Sequence, residues 1–265
     1  MRMDSERPNR ALSNQSSEKL LALIEYMSTL EEPIRLSDLA AGTGMNASTL
    51  SRFLTTLMHC GYVKKDEKDG RYSLTYKICG IANSITSRID IRSVALPYLK
   101  KISRTFNCTA NLIMCYDQSC IYLEVIAAPD QIMLPLQRIG KVAPLYCTAA
   151  GKLLLQEFSP EQLQEYVRST VFNRYTDTTI TSADELYRAV GEAREKGYAV
   201  DNEECELGTC CLAVPVRNYS GHICAAISIN GPSTRINSRF IEENSGLLKE
   251  IVSGVSKDLG FQEQI

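Results

Sequence analysis

No stretch of the 265-residue chain approaches the roughly 20 consecutive apolar residues that a membrane-crossing helix needs. The first dozen residues, MRMDSERPNRAL, also lack the apolar core of a signal peptide. Both absences predict a soluble, cytoplasmic protein with no membrane partner. Histidine is scarce, with His59 and His222 far apart, and none of the ten cysteines forms a Cys-x-x-Cys pair. Structural zinc sites usually pair closely spaced Cys and His ligands, so neither a metal nor any other cofactor is expected. Most cysteines sit in apolar runs such as CCLAVPV and HICAAISI, where a free thiol behaves as a small hydrophobe. Buried, reduced thiols agree with a cytoplasmic setting. A strong net charge is missing as well: the formal value is -2.

What is present is ample apolar material, 44 % hydrophobic against 23 % charged residues, in a chain long enough for two domains. From Ser16, SSEKLLALIEYMSTL places Leu20, Leu23, Ile24, Met27 and Leu30 three and four apart, an amphipathic helix with Ser16 or Ser17 as its cap. A short second helix is predicted at LSDLAAGTG, with Ser37 capping it and the Gly42-Thr43-Gly44 turn stopping it. The third starts at Asn46, whose side chain can accept from the backbone of Ser48 or Thr49, while Met45 and Leu50 form a hydrophobic staple. Next, GYVKKDEKDGRYSLTYK alternates about an Asp69-Gly70 turn and predicts a hairpin. Three helices and a two-stranded hairpin make the winged helix-turn-helix plan, in which the third helix enters the DNA major groove.

Charge distribution supports that reading where net charge does not. Residues 46–88 carry seven basic and three acidic residues, a local +4, so the remainder sums to -6. Such asymmetry suits a nucleic-acid-binding module joined to a domain of other purpose. Candidates for contact with operator DNA are Asn46, Ser48, Thr49, Ser51, Arg52 and Thr55 on the third helix, with Lys64, Lys65 and Arg71 of the wing set for phosphates.

Beyond residue 75 the period changes. Residues 78 to about 90 suit a connecting helix, and IRSVALPYLKKISRTFN continues helically with Pro97 near a start or kink. CTANLIMCYDQSCIYLEVIA predicts a hairpin about Asp117-Gln118-Ser119, and QIMLPLQ an edge strand marked by Pro135. Capping boxes at Ser159/Gln162 and Ser182/Glu185 open two helices, the second closing at Gly197. YAV, CCLAVPVRN and HICAAISIN read as strands, and a helix over about 237–259 ends the pattern. Mixed strands and helices with several hairpins give an α+β domain, an antiparallel sheet carrying helices.

The run MNASTLSRFLTTLMHCGYVKKDEKDGRYSLTYKI resembles the DNA-binding domain of the IclR-type bacterial transcription regulators, at Ser48, Thr49, Arg52, Leu57, Gly61, Tyr62, Tyr72 and Leu74. YCTAAGKLLL and GYAVDNEECELGTCCLAVPVRNYSGHICAAISINGP resemble that family's effector-domain segments. The resemblance covers about 250 residues. It implies a winged helix-turn-helix domain over 13–75, a linker helix over 76–89 and a GAF-like α+β effector-binding domain over 90–262. It also implies dimers or tetramers on operator DNA, with binding, more often repression than activation, controlled by a small carboxylate or aromatic acid.

The family's pocket positions fall on Ala149, Ala150, Asp201, Cys211, Ser228 and Asn230. Ala149, Ala150 and Gly151 are small and stand where a helix begins, so backbone N–H groups there can meet an anion. Ser228 and Asn230 share one strand face, while an ionised Asp201 repels a carboxylate and asks for a donor on the ligand. Thr209 and Asn230 depart from the apolar residue and the serine that some relatives carry, implying a more polar pocket.

Two other readings belong beside this one. Cys211 with His222 is the one nearby pair for a cysteine hydrolase, and an enzyme is not expected. Cys205, Cys210 and Cys211 would instead form the sensing cluster of a redox- or metal-responsive transcription regulator.

Overall fold

The computed structural model describes residues 14–86, 90–130 and 139–262. The chain divides into two compact units, Met1–Arg88 and Ile89–Ile265.

The first unit runs α1 (Gln15–Ser28), α2 (Leu36–Thr43), α3 (Ala47–His59), β1 (Val63–Lys65), β2 (Tyr72–Leu74) and α4 (Lys77–Thr86). Its core gathers Leu23 and Met27 of α1, Leu39 of α2, Leu50, Phe53, Leu54 and Leu57 of α3, and Val63 and Tyr72 of the hairpin. Two caps differ from expectation. Asn14, not Ser16 or Ser17, caps α1, accepting from the N–H groups of both serines. At α2 the cap position falls on Arg35 with no side-chain bond, and the Ser37 hydroxyl donates to Asp38 instead. The chain enters α2 from a β-bridge in which Ile34 and Tyr72 exchange both backbone hydrogen bonds, at 2.9 and 2.8 Å. That bridge sets the helix start without a capping side chain.

Gly44, at φ +66°, ends α2 in the left-handed region that costs glycine little. Asn46 then caps α3 through the Thr49 N–H at 2.8 Å. Of the connecting helix expected to reach about residue 90, α4 is the part within the described residues; 87–89 lie outside them.

The second unit contains α5 (Ile91–Phe106), β3 (Thr109–Tyr116), β4 (Ser119–Ile126), β5 (Val142–Pro144), α6 (Ala149–Leu154), α7 (Pro160–Ser169), α8 (Ala183–Lys196), β6 (Ala199–Asn202), β7 (Thr209–Arg217), β8 (Ile223–Pro232) and α9 (Ser238–Asp258). The six strands form one antiparallel sheet in the order β5-β4-β3-β8-β7-β6. Both capping boxes open their helices as the spacing predicts. Pro97 lies inside α5, seven residues after its Asp90 cap. The expected strand at QIMLPLQ falls outside the described residues; the edge beside β4 is β5, ending in Pro144.

Strand alternation divides the unit into two cores. Leu112, Leu212, Val214, Ile227 and Ile229 pack against α5 and α9. On the opposite face Ala199, Ala213 and Ala226 are small, and α6 lies close over them with α8 beyond.

Candidate functional site

The two units offer two candidate surfaces. On α3 the apolar residues turn inward, leaving Ser48, Arg52 and Thr55 on one exposed face at helical spacing, with Ser51 beside them and Thr49 half-buried. Part of that polarity is used within the helix. Ser48 donates to Asn46 Oδ1 at 2.9 Å, and Thr55 donates to the Ser51 carbonyl at 2.8 Å. No side-chain bond is seen for Arg52 among the described residues, and it is exposed on that face.

In the wing Lys64 and Lys65 are exposed, the latter 5.4 Å from the Tyr72 ring centroid. Arg71 is half-buried, pairs with Asp69 at 3.2 Å and Glu32 at 4.0 Å, and donates to the Pro33 carbonyl, so part of its hydrogen-bonding capacity is used within its own unit.

In the second unit a cavity of about 100 Å³ lies between the sheet and the start of α6. Thr148, Ala149 and Ala150 border it from the helix, Ile113, Cys211 and Ser228 from the strands, and Asp201 from β6. Five of the six predicted effector residues therefore meet there, although they come from four separate segments. Asn230 does not line the cavity. It stands opposite Cys211 and is held by Asn111, whose Nδ2 donates to Asn230 Oδ1 at 2.9 Å and to Ser228 Oγ at 3.1 Å.

The start of α6 corrects one expectation. Gly151 is small because the backbone of Leu145 passes against it, where an added Cβ would lie 2.1 Å from the carbonyl oxygen. Its N–H is taken by Thr148 Oγ1 at 3.2 Å. Gly151 is thus a packing residue and not part of an anion cradle.

Behind the cavity lies a buried charge cluster. Lys152 of α6 donates to Glu204 at 2.5 Å and to the Val200 carbonyl at 2.7 Å, tying the helix to β6 and the loop after it. Asp201 Oδ1 accepts from the Glu204 N–H at 2.7 Å and from Cys205 at 3.4 Å, so it closes that loop as well as facing the cavity. Burial pushes its carboxyl up to about 6 and the Glu204 charge adds to this, while the two backbone donors and Lys152 pull the other way.

Sequence reading missed Asn111, Thr148 and the Lys152–Glu204 pair. A signal existed for two of them: Asn111 and Lys152 are polar residues inside apolar runs, NLIMCY and AAGKLLL, and both are buried. The other chemistries lose support from the geometry. Cys211 faces Asn230 while His222 lies beyond the Arg217–Ile223 end of the ladder, its ring 2.7 Å from Glu157. Cys210 packs into the α5–α9 core and Cys211 into the α6 side, so the proposed sensing trio does not converge. Burial raises the thiols of Cys108, Cys115, Cys210 and Cys224, and pushes Cys120 up to about 12. Cys147 is raised by its hydrogen bond with Cys205 and by burial. Neutral thiols are poor nucleophiles and poor metal ligands.

A winged helix-turn-helix unit followed in one chain by an α+β unit with its own cavity defines a two-domain DNA-binding transcription regulator. Residues 16–67 match the IclR helix-turn-helix domain, and residues 83–257 match the family described as bacterial transcriptional regulator IclR C-terminal. The chain belongs to the IclR family. It is 30% identical to the HTH-type transcriptional regulator KdgR of Escherichia coli over 88% of each chain. With the E. coli DNA-binding transcriptional repressor YiaJ it shares 30% identity over 98% of this chain and 92% of that one. The crystal structure of the Thermotoga maritima IclR aligns at a TM-score of 0.60 and 30% identity, covering 93% of this chain and 99% of that one. These relatives are transcriptional regulators and not enzymes. No helix among the described residues is long and apolar enough to cross a membrane.

Proposed function

We propose that this regulator binds operator DNA through α3 and the wing of residues 13–75, and that a small acid bound within residues 90–262 controls that binding, with residues 76–89 as the link. The convergence of Ala149, Ala150, Asp201, Cys211 and Ser228 on one cavity carries this reading. Repression is the favoured direction, because YiaJ and the AllR proteins are repressors. A single winged unit offers few phosphate contacts, which favours a dimer or tetramer on a palindromic site in the cytoplasm.

Two measurements separate the roles. Arg52→Ala is expected to weaken operator binding by about ten- to a hundred-fold, the range for one lost guanidinium contact. The same variant keeps the ligand-induced rise in melting temperature that follows from binding to the folded form alone. Gel-shift titration reads the first effect and thermal shift with a panel of small carboxylates and aromatic acids the second; loss of both together contradicts the separation. Serine at Cys205, Cys210 and Cys211 is expected to leave operator binding equally indifferent to oxidant and to zinc. Sensitivity present in the parent and absent from that variant would instead establish the sensing trio.

A further inference from the structure

One stretch of chain forms a whole side of the cavity. Asp201 stands near the end of β6, Cys205 and Glu206 follow in the turn to β7, and all three border the cavity with Thr209 beside them. Among the described lining residues Glu206 is the exposed one, so this turn is what separates the cavity from solvent. The other walls belong to the sheet and to α6, and their lining residues are buried or half-buried. A ligand reaches the interior past the wall that is easiest to move.

Hydrogen bonds, more than packing, hold the turn shut. Its tip residue, Leu207, is 78% exposed. Its root is fixed: Thr176 donates to the Glu203 carbonyl at 2.6 Å, Thr179 donates to the Glu204 carbonyl at 2.7 Å, and Lys152 holds the Glu204 carboxylate. Those bonds keep Glu203 at φ +59°, a left-handed conformation that is costly for a residue with a side chain. Gly208, at φ +79° and with its carbonyl accepting from the Ser233 N–H at 2.9 Å, makes the far hinge. Between the two ends, the Glu203 carboxylate accepts from the Gly208 N–H at 2.6 Å. Exposed bonds of this kind exchange with water at small net cost, so segments held by them open well before the fold does.

Taking the cavity as the effector site, we propose that Cys205–Gly208 is a flap that opens to admit ligand, and that Glu203 is a positioning residue whose carboxylate clasps the flap shut. The fixed root leaves Asp201 and Glu204 in place while the flap moves, so the site is ready for ligand when the wall opens.

The test labels the full chain with methyl methanethiosulfonate, a small thiol reagent, and reads each cysteine by mass spectrometry. Cys120 is buried and lines the cavity, whereas Cys108 is buried in the α5–α9 core and serves as control. Alanine and glutamate meet the same backbone cost at a left-handed position, so Glu203→Ala reads the carboxylate. That variant is expected to label Cys120 about ten-fold faster with Cys108 unchanged, the size of one hydrogen bond to a charged group. Glu203→Gln keeps an oxygen for the Gly208 N–H and is expected to stay near the parent. In the parent the amides of residues 205–208 are expected to exchange with deuterium ahead of those of β3 and β8, and equal protection overturns the flap even where a variant fails to fold. Equal Cys120 rates in parent and Glu203→Ala, or a Glu203→Gln variant as fast as Glu203→Ala, overturn the clasp. A rise at Cys108 in step with Cys120 overturns the flap, because the whole unit is then opening. Labelling needs no effector, so these failures leave the effector reading standing, and failure of every acid in the wider panel to bind removes that reading without altering the labelling result.

Discussion

Alanine in place of Gly151 is expected to destabilise the C-terminal unit by several kcal/mol. The added Cβ would lie 2.1 Å from the oxygen of Leu145, 2.4 Å from its Cα and 2.6 Å from its carbonyl carbon, all backbone atoms. A flexible side chain could swing aside, but Leu145 is fully buried beside Tyr146 and Cys147 in the core beneath α6. The helix must therefore move off the sheet or the segment carrying Leu145, just after β5, must shift. Overpacking of a tight core typically costs about 1–3 kcal/mol and more where backbone is forced to move. For a unit of this size each kcal/mol lowers the melting temperature by about 2–4 °C, so calorimetry should show a fall of roughly 5–10 °C or more. Because Ala149 and Ala150 move with the helix, the response to effector should be lost as well. Operator binding at low temperature should remain, since α3 lies in the other unit. An unchanged melting temperature would mean that Leu145 yields at little cost.

Asp201→Asn is expected to act in the opposite direction on stability. Its carboxyl stands near 6 in the folded chain against an ordinary 3.8, through burial reinforced by Glu204 and opposed by the loop N–H groups and Lys152. The folded state thus holds the proton more tightly than the unfolded one. Stability associated with this group is fully present below about pH 4 and is lost as pH rises through about 6. At neutral pH the ionised carboxylate then costs about 3 kcal/mol, since each tenfold gain in proton affinity on folding corresponds to about 1.36 kcal/mol. Asparagine keeps an Oδ1 to accept from Glu204 and Cys205 but carries no charge to bury. The variant should melt several degrees higher at pH 7.5 and lose most of the pH dependence between 4 and 6. Denaturant titrations at a series of pH values decide this, and parallel curves for parent and variant would show that Asp201 is not the titrating group. A stabilised variant with a weakened effector response would mark Asp201 as a residue kept for binding at a cost to the fold.

These two positions show where sequence reading reached and where it stopped. The cap of α3 at Asn46 and the boxes at Ser159/Gln162 and Ser182/Glu185 were legible because each joins residues two or three apart. The apolar stripe of α3 and the hairpin turn at Asp69-Gly70 were legible for the same reason, since period and turn chemistry are properties of a short window. The α1 cap was misplaced by two residues because a serine and an asparagine can both fill that role, and backbone direction chooses between them. At Gly151 composition suggested an anion cradle, yet the deciding neighbour was a backbone carbonyl six residues earlier that only the folded turn brings near.

Family resemblance placed Asp201 and Ser228 in one pocket, but their chemistry depends on partners it did not supply. By itself the sequence determined the helices, most of the strands, the winged plan and the charge asymmetry, because propensity, periodicity and capping act locally. Tertiary structure alone decided that Arg71 reaches the Pro33 carbonyl across 38 residues, that Lys152 reaches Glu204 across 52, and that Asn111 meets Ser228 across 117. Those pairings follow from sheet register and from the close seating of α6 on small residues, which are set by the packing of the whole unit.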